Sequence, residues 1–469
     1  MINSWFRRLF RLREEELPKF KLLFFHSFFL WFFISFYFVP ANGVFITHFG
    51  SDYLPLAYLA SGIVGYGITS IYSAAQRKWQ SKFLFLGILG FMILLPLLVR
   101  LGMFFISPEA EKWLSFLIFS FTWPFISVTD TITGGLSLQF LNIRQVKQQY
   151  GAMNIGGIIS SLLSYFLIPV IMTILFHPYD LLLIGITGLV VCVWIILQIH
   201  KKYAVAAVHG PTLGQKQEKS MKLPDLFRDK YFRNILLFSG FSITIIYFTD
   251  FHYLTSIKVQ DALISDASQA SGFIALMAGL TKIGELVLSY FSNRIIGKRG
   301  VRVALITMPI LLSGLVFTAA VLANTLGTAS IAFFIVVVIS KASERITRRG
   351  LEEPAFNVLF QPLPGAQKMQ VQTQVGVARQ AAIGIAGGLL WVVSFVLSSS
   401  QGFQLRFYSL LFLPLLLVWV VLSRGLYKSY KEKLRQVLAD MSRTLRRDPN
   451  KYKFGDEILT RKLKQFNLQ

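Results

Sequence analysis

Twelve long apolar stretches, separated by short breaks that gather Lys and Arg, leave this chain few ways to fold. They run over about 20–47, 54–75, 83–106, 113–141, 150–175, 180–199, 233–257, 267–291, 302–323, 329–346, 371–398 and 404–423. An α-helix needs roughly 20 apolar residues to cross the hydrocarbon of a bilayer, and most of these stretches are that long or longer. Hydrocarbon offers the backbone no hydrogen bonds, so such a stretch satisfies its own N–H and C=O groups as a helix. Composition agrees: 54% of the 469 residues are hydrophobic and only 15% are charged, against about a quarter charged in soluble domains. The expected fold class is an all-α membrane protein with twelve transmembrane helices.

The formal charge of +24 would suggest nucleic acid in a soluble protein. Here its distribution gives it another meaning. With both termini inside, the inner segments are residues 1–21, 76–82, 142–149, 200–233, 292–302, 341–370 and everything after 423, and they hold 41 of the 47 Lys and Arg. Only cytoplasmic N- and C-termini produce that asymmetry. The basic charge is therefore a topology signal, no nucleic-acid partner is expected, and the lipid bilayer of a cell inner (cytoplasmic) membrane is the surroundings the sequence calls for. The single cysteine, Cys192, lies in an apolar run and excludes an internal disulfide. The basic N-terminus leads into an apolar run too long for a signal-peptide core, so it reads as an uncleaved first helix.

The longest polar break divides the spans six and six. It predicts an N-terminal six-helix bundle over 1–199, a cytoplasmic linker over 200–232, a C-terminal six-helix bundle over 233–424 and a basic tail over 425–469. Short basic loops recur at matching places in the two halves, AAQRKWQSKF after span 2 and SNRIIGKRGVRVAL after span 8, which favours a duplicated architecture. In the tail, Leu426, Tyr430, Leu434, Met441 and Leu445 recur at helical spacing among Lys and Arg. That is an amphipathic helix expected to lie on the membrane or to dock under the bundle, and it is a candidate site for a protein partner.

Several segments resemble bacterial relatives of the ATP/ADP translocases, a branch of the major facilitator superfamily. In span 7 the resemblance rests on Asp250, Phe251 and Tyr253, and at the end of span 8 on Gly300 and Val301. Leu359, Pro362, Leu363 and Pro364 before span 11, and Arg144, Gln145, Lys147, Gly151 and Gly157 entering span 5, resemble the same group. The resemblance covers residues 20–424. It implies a twelve-helix facilitator fold and a secondary transporter or exchanger of an anionic, nucleotide-like metabolite. Fusions among the relatives keep a non-transporting membrane anchor or signalling module open as an alternative, with a lipid translocase as a third reading.

An ionisable group inside hydrocarbon costs at least about 2.5–3.5 kcal/mol on insertion scales, so it faces a cavity or a partner. Five residues qualify as substrate- or proton-binding candidates: Asp130, Asp250, Lys282, Glu285 and Arg379. Lys282 and Glu285 stand one turn apart on a small and polar stripe of span 8, forming either a cavity site or a self-neutralised structural pair. Asp130 in span 4 is a carboxylate for proton coupling, or one held by Arg144 or Lys147. Asp250 converges with the resemblance; a lock on Arg100, Lys258 or Arg406 is the competing account. Arg379 on a stripe of small residues in span 11 can hold an anion or act as a gate cation. Lys341, Glu344, Arg345, Arg348 and Arg349 are expected to form a cytoplasmic charge network. Pro40 and Pro124 are expected kinks, and His26 a satisfied core histidine. No phosphate-cradling loop, zinc-spaced cluster or nucleophile elbow occurs, so neither catalysis nor a cofactor is expected.

Overall fold

The structure is a computed structural model that describes residues 14–447 except 76–78, 104, 106, 142, 176, 204–226, 260–265, 361, 364 and 398–400. Among the described residues all regular structure is helical. In chain order the helices are α1 Leu17–Phe49, α2 Leu54–Ala75, α3 Ser81–Gly102, α4 Pro108–Phe140, α5 Ile143–Met172, α6 Asp180–Tyr203 and α7 Lys230–Val259. A run over Ala267–Thr325 then divides at Gly300 into α8 (267–299) and α9 (301–325), followed by α10 Ile331–Thr347, α11 Gly365–Leu397 and α12 Gln401–Arg447. Eleven of these are long and apolar enough to cross a membrane; α10, with 17 residues, is the short one.

Of the breaks expected from the charge pattern, one is helical up to a glycine turn and one is helical over its first part, and the tail helix expected after 423 is continuous with the last span. The segment 292–302 holds no proline, and of its two glycines Gly297 stays helical while Gly300 takes a φ of 82° that only glycine adopts without strain, so the helix runs to Gly300 and turns there. The charges after Lys341 do not end α10: it continues through a π-helical turn, Arg348–Glu352, into a helical segment, Glu353–Val358. Residues 331–358 thus make one rod of about 42 Å at 1.5 Å per residue. Helix α12 likewise passes straight into the amphipathic tail as far as Arg447. Its apolar stripe, Leu426, Tyr430 and Leu434, is buried. The tail docks on the start of α7, where Asn234 donates to Ser429 at 2.6 Å and Lys230 meets Glu432 at 3.6 Å. Residues 448–469 lie outside the described residues. Both α1 and α4 continue through Pro40 and Pro124 without ending.

Helices α1–α6 enclose a core of their own, from Phe20 and Leu23 through Phe125 to Ile196. The core of α7–α12 reaches across to Phe38, Phe45 and Tyr58 of the first set. The start of α1 lies beside the ends of α4 and α6, with Lys19 donating to the Phe140 carbonyl at 3.0 Å and its ammonium 5.3 Å from the Tyr203 ring. This end of the bundle, which also carries the start of α7 and the tail of α12, is termed the terminal face. At the opposite face, Arg100 pairs with Asp180 at 2.6 Å, closing α3 onto α6.

The two sets of helices meet most tightly towards the opposite face. A Cβ on Gly62 of α2 would lie 2.3 Å from the Gly384 backbone nitrogen of α11, and one on Gly387 would lie 2.3 Å from the Leu59 nitrogen. A Cβ on Gly43 of α1 would meet Ser271 of α8 at 2.0 Å. Such backbone approaches are possible only with small residues. They close the opposite side of the cleft and leave a cavity below.

Candidate functional site

Under that closure Asp250 of α7 is fully engaged. Its Oδ1 lies 2.9 Å from Lys341 Nζ of α10, and its Oδ2 accepts from the Tyr58 hydroxyl of α2 at 3.0 Å. Lys341 also reaches Glu344 at 2.9 Å. The side chains of Lys341, Asp250 and Glu344 are only 5%, 4% and 1% exposed, so each depends on the others for its counter-charge. His252, two residues beyond Asp250, turns to the other side of α7 and contacts Ser409 of α12 at 2.9 Å. The expected partners of Asp250 are not the ones found. Arg100 is committed to Asp180, and the partner is Lys341, a residue expected at the cytoplasmic surface.

One layer nearer the terminal face, Lys282 and Glu285 of α8 pair at 2.6 Å with side chains 12% and 4% exposed. The indole of Trp31 on α1 lies beneath both Lys282 and Arg349, at 5.3 and 5.5 Å to the ring centroid. Trp31 reaches this position because α5 presents Gly157 to it: a Cβ there would sit 2.4 Å from the indole. Arg345 lies over the Phe38 ring at 4.9 Å and has no carboxylate within salt-bridge range among the described residues. Such cation–aromatic contacts contribute about 0.5–2 kcal/mol each, more where water is excluded.

At the rim, Asp130 stands 3.9 Å from Arg349, with its side chain 53% exposed. It therefore stands at the mouth of the cleft, within reach of Arg349. The side chains of Arg144 and Lys147, its expected alternatives, lie outside the described residues. Arg349 is bonded more closely to Glu353, at 3.0 Å. Arg379 donates to Ser239 at 2.8 Å and lies 5.1 Å from the Phe356 ring. Nearby, Ser242 donates to the buried Glu352 at 2.5 Å.

Some of these groups line a cavity of about 70 Å³ between the two sets of helices. Four cations line it, Lys282, Arg345, Arg348 and Arg349, against two carboxylates, Glu285 and Glu344. Trp31, Phe38, Trp123 and Tyr165 supply flat aromatic walls. The structure brings Lys282 and Glu285 into this cavity and Asp130 to its rim, and it places Asp250 behind it with Lys341. Arg379 stands to one side. Sequence reasoning missed Trp31, Tyr58 and Tyr165, set Trp123 on one stripe of span 4 with Asp130, and placed Lys341, Glu344 and Arg345 in a charge network at the cytoplasmic end of span 10. A signal for the last three was present: 341, 344, 345, 348, 349 and 352 all fall on one helical face. His26 is buried as expected, but its Nε2 has no partner among the described residues. No group of three or more His, Cys, Asp or Glu suited to a metal occurs among the described residues.

No family model and no curated protein matches the sequence. Solved structures do match in shape. The crystal structure of nucleoside transporter NupG superposes with a TM-score of 0.58 at 16% identity, covering 87% of this chain and 99% of that one. A POT family transporter in complex with 5-aminolevulinic acid gives 0.61 at 12% identity, covering 87% and 96%. A D-xylose-proton symporter gives 0.57 at 12%, covering 86% and 97%. The fold is that of the major-facilitator-type transporters. Within this major-facilitator fold the Gly62–Gly384 approach closes one access to the cleft, and the rim at Asp130 and Arg349 marks the other. The expectation of a facilitator fold stands at this level. The ATP/ADP-translocase branch in particular is not among these three structures.

Proposed function

We propose that the protein is a secondary transporter that carries an anionic small metabolite across a cell inner membrane by alternating access. The observation that carries this reading is the cavity between the halves, where four cations oppose two carboxylates. Lys282 is paired with Glu285, and Arg348 and Arg349 share Glu353 at 3.4 and 3.0 Å, so Arg345 is the lining cation with no carboxylate within salt-bridge range among the described residues; guanidinium forks bind phosphate or carboxylate bidentately. Aromatic walls beside the cations suit a ligand that also has a flat face, which favours the nucleotide-like class of the ATP/ADP-translocase resemblance and an exchange mode. The +24 charge supports cytoplasmic termini: once Lys341, Arg345, Arg348 and Arg349 are moved inside the bundle, 37 of 47 Lys and Arg still fall in the terminal-face segments.

In this reading the bundles 1–199 and 233–424 rock as bodies joined by the 200–232 linker. The metabolite enters past Asp130 and Arg349, displaces Glu285 from Lys282 and engages Arg345. Opening the other side then requires parting Gly62 from Gly384 and breaking the Tyr58–Asp250 bond. Asp250 is the candidate for a coupled proton, because its protonation would release both Tyr58 and Lys341.

The test is uptake into proteoliposomes of labelled nucleotides, inorganic phosphate, dicarboxylates, nucleosides and sugars, with and without internal anion. Uptake of an anion class, stimulated by internal anion and lost in Arg345→Gln and Lys282→Gln, is the expected result. Uptake of neutral nucleosides or sugars that both variants leave unchanged would refute an anionic substrate.

A further inference from the structure

We propose that a lateral window between α8 and α10 holds the tail of a single-chain anionic amphiphile, whose carboxylate or phosphate head rests against Arg345. A second cavity of about 230 Å³ lies behind Lys341, lined mostly by α7, α8 and α10 and bounded on its inner side by Phe38 and Asn42 of α1. Its walls include Met277 and Leu280 of α8 and Val338 and Ile339 of α10. Leu280 and Ile339 are 49% and 45% exposed on the outside of the bundle, so this cavity reaches the surface that a bilayer covers.

The window has definite ends. Towards the terminal face α8 and α10 touch: a Cβ on Gly284 would lie 2.3 Å from Ile346 Cδ1, and one on Gly350 would lie 2.7 Å from Leu288. Towards the opposite face the rings of Phe273 and Phe334 meet at 5.8 Å. Between these contacts Ala342 presents only a methyl group to the cavity. Leu280 lies thirteen residues into α8, about 20 Å along its axis, near the middle of a hydrocarbon layer about 30 Å thick. An opening at that depth faces acyl chains, not water.

The inner end of the same cavity is charged. Asp250, Lys341 and Arg345 line it, and Lys341 already holds two carboxylates at 2.9 Å. Arg345 holds none within salt-bridge range among the described residues, and it lines the central cavity as well. A ligand that satisfies both ends must be apolar where it leaves the window and anionic at Arg345. Neither a water-soluble anion nor a plain hydrocarbon meets both demands. This inference is independent of the transport reading, since the window could be filled in a protein that moves a soluble anion or none.

The experiment uses the full chain in phosphatidylcholine vesicles and a hexadecanoic acid bearing a photoactivatable diazirine near its methyl end, with labelled peptides located by mass spectrometry. The expected result is labelling concentrated on residues 276–283 and 335–342. Unlabelled hexadecanoic acid or a hexadecyl phosphate should suppress it; hexadecanol should not. Arg345→Gln should lower labelling about tenfold, the loss of one hydrogen bond to a charged group. Ala342→Phe, which fills the window, should abolish it while leaving soluble-anion uptake intact. Labelling spread over every lipid-facing helix, or suppressed equally by hexadecanol, would overturn the proposal. Both of those outcomes are read on the unmodified protein, so a misfolded variant does not obscure them. Labelling as expected with no anion uptake would refute the transport reading alone.

Discussion

Replacing Lys341 by Met tests whether the Asp250 cluster is held as its geometry indicates. Lys341 is 5% exposed and stands 2.9 Å from each of two carboxylates, Asp250 at 4% and Glu344 at 1% exposure. Methionine keeps most of the volume and removes the charge. Asp250 then retains only the Tyr58 hydroxyl at 3.0 Å, and Glu344, whose Oε1 already has no partner, loses its cation. Breaking a buried pair by deleting one partner costs about 3–5 kcal/mol, and two carboxylates are orphaned here, so the upper end applies. Asp250→Asn should cost less, about 1.5–3 kcal/mol, because Lys341 keeps Glu344. The double variant should be more stable than the sum of the two losses by at least about 1 kcal/mol. The assay is equilibrium unfolding in mixed micelles of rising SDS content, run on all four proteins as a double-mutant cycle. Additivity within about 0.5 kcal/mol, or a larger loss for Asp250→Asn than for Lys341→Met, would refute the reasoning.

Two further outcomes follow from the closure between the halves. Gly62→Ala should destabilise the protein by about 1–3 kcal/mol, the usual cost of overpacking, because its Cβ would meet the Gly384 backbone at 2.3 Å. Gly384→Ala, whose Cβ has nothing nearer than 3.9 Å, should be neutral or slightly stabilising, and thermal unfolding of the two variants distinguishes them. Tyr58→Phe removes the hydroxyl that joins α2 to Asp250. It should shift the closed state by about 0.5–1.5 kcal/mol, read as faster thiol modification of Ser271→Cys, a buried position at the α1–α8 approach. Cys192, fully buried, leaves the background low.

How far the sequence discloses this molecule depends on which signal a residue leaves. Spans are read from apolar length alone, and the helices fall where that length puts them. Helix ends are another matter, because a run of charges looks the same whether it enters a loop or a cavity. The sequence therefore predicts a span ending at 346 in a cytoplasmic charge network, although the helical rod runs on to Val358 through its π-turn. The periodicity of 341, 344, 345, 348, 349 and 352 marks a single charged face, and that pattern separates a buried stripe from a loop, in which charges have no period. Asp250 could be singled out because a lone carboxylate in an apolar run needs a partner. Its partner could not, since Lys341 lies 91 residues away and only helix packing brings the two to 2.9 Å. Tyr58 and Trp31 gave no signal at all: aromatic residues are common in such helices, and only the assembled halves show that these face the cleft.

That assembly has a consequence for how the halves can part. The buried ion pairs Asp250–Lys341, Lys341–Glu344 and Lys282–Glu285 each lie wholly within the second half. Separating the halves therefore leaves all three intact and exposes no unpaired buried charge. The groups that cross the cleft are weaker. Among the described residues the hydrogen-bonded and cationic ones are a hydroxyl bond from Tyr58, cation–aromatic contacts onto Trp31 and Phe38, and the Asp130–Arg349 pair. With Asp130 53% exposed and 3.9 Å from its partner, that pair is screened by water and contributes at most about 1 kcal/mol. These polar and cationic contacts thus sum to a few kcal/mol, added to the apolar packing that the closure also buries, and a term of that size is one that differential binding can move. Three of the cations in them, Lys282, Arg345 and Arg349, are also the ones that line the cavity. An anion arriving there must draw on the same cations that hold the halves together, so occupancy and closure are coupled through shared groups without any longer path.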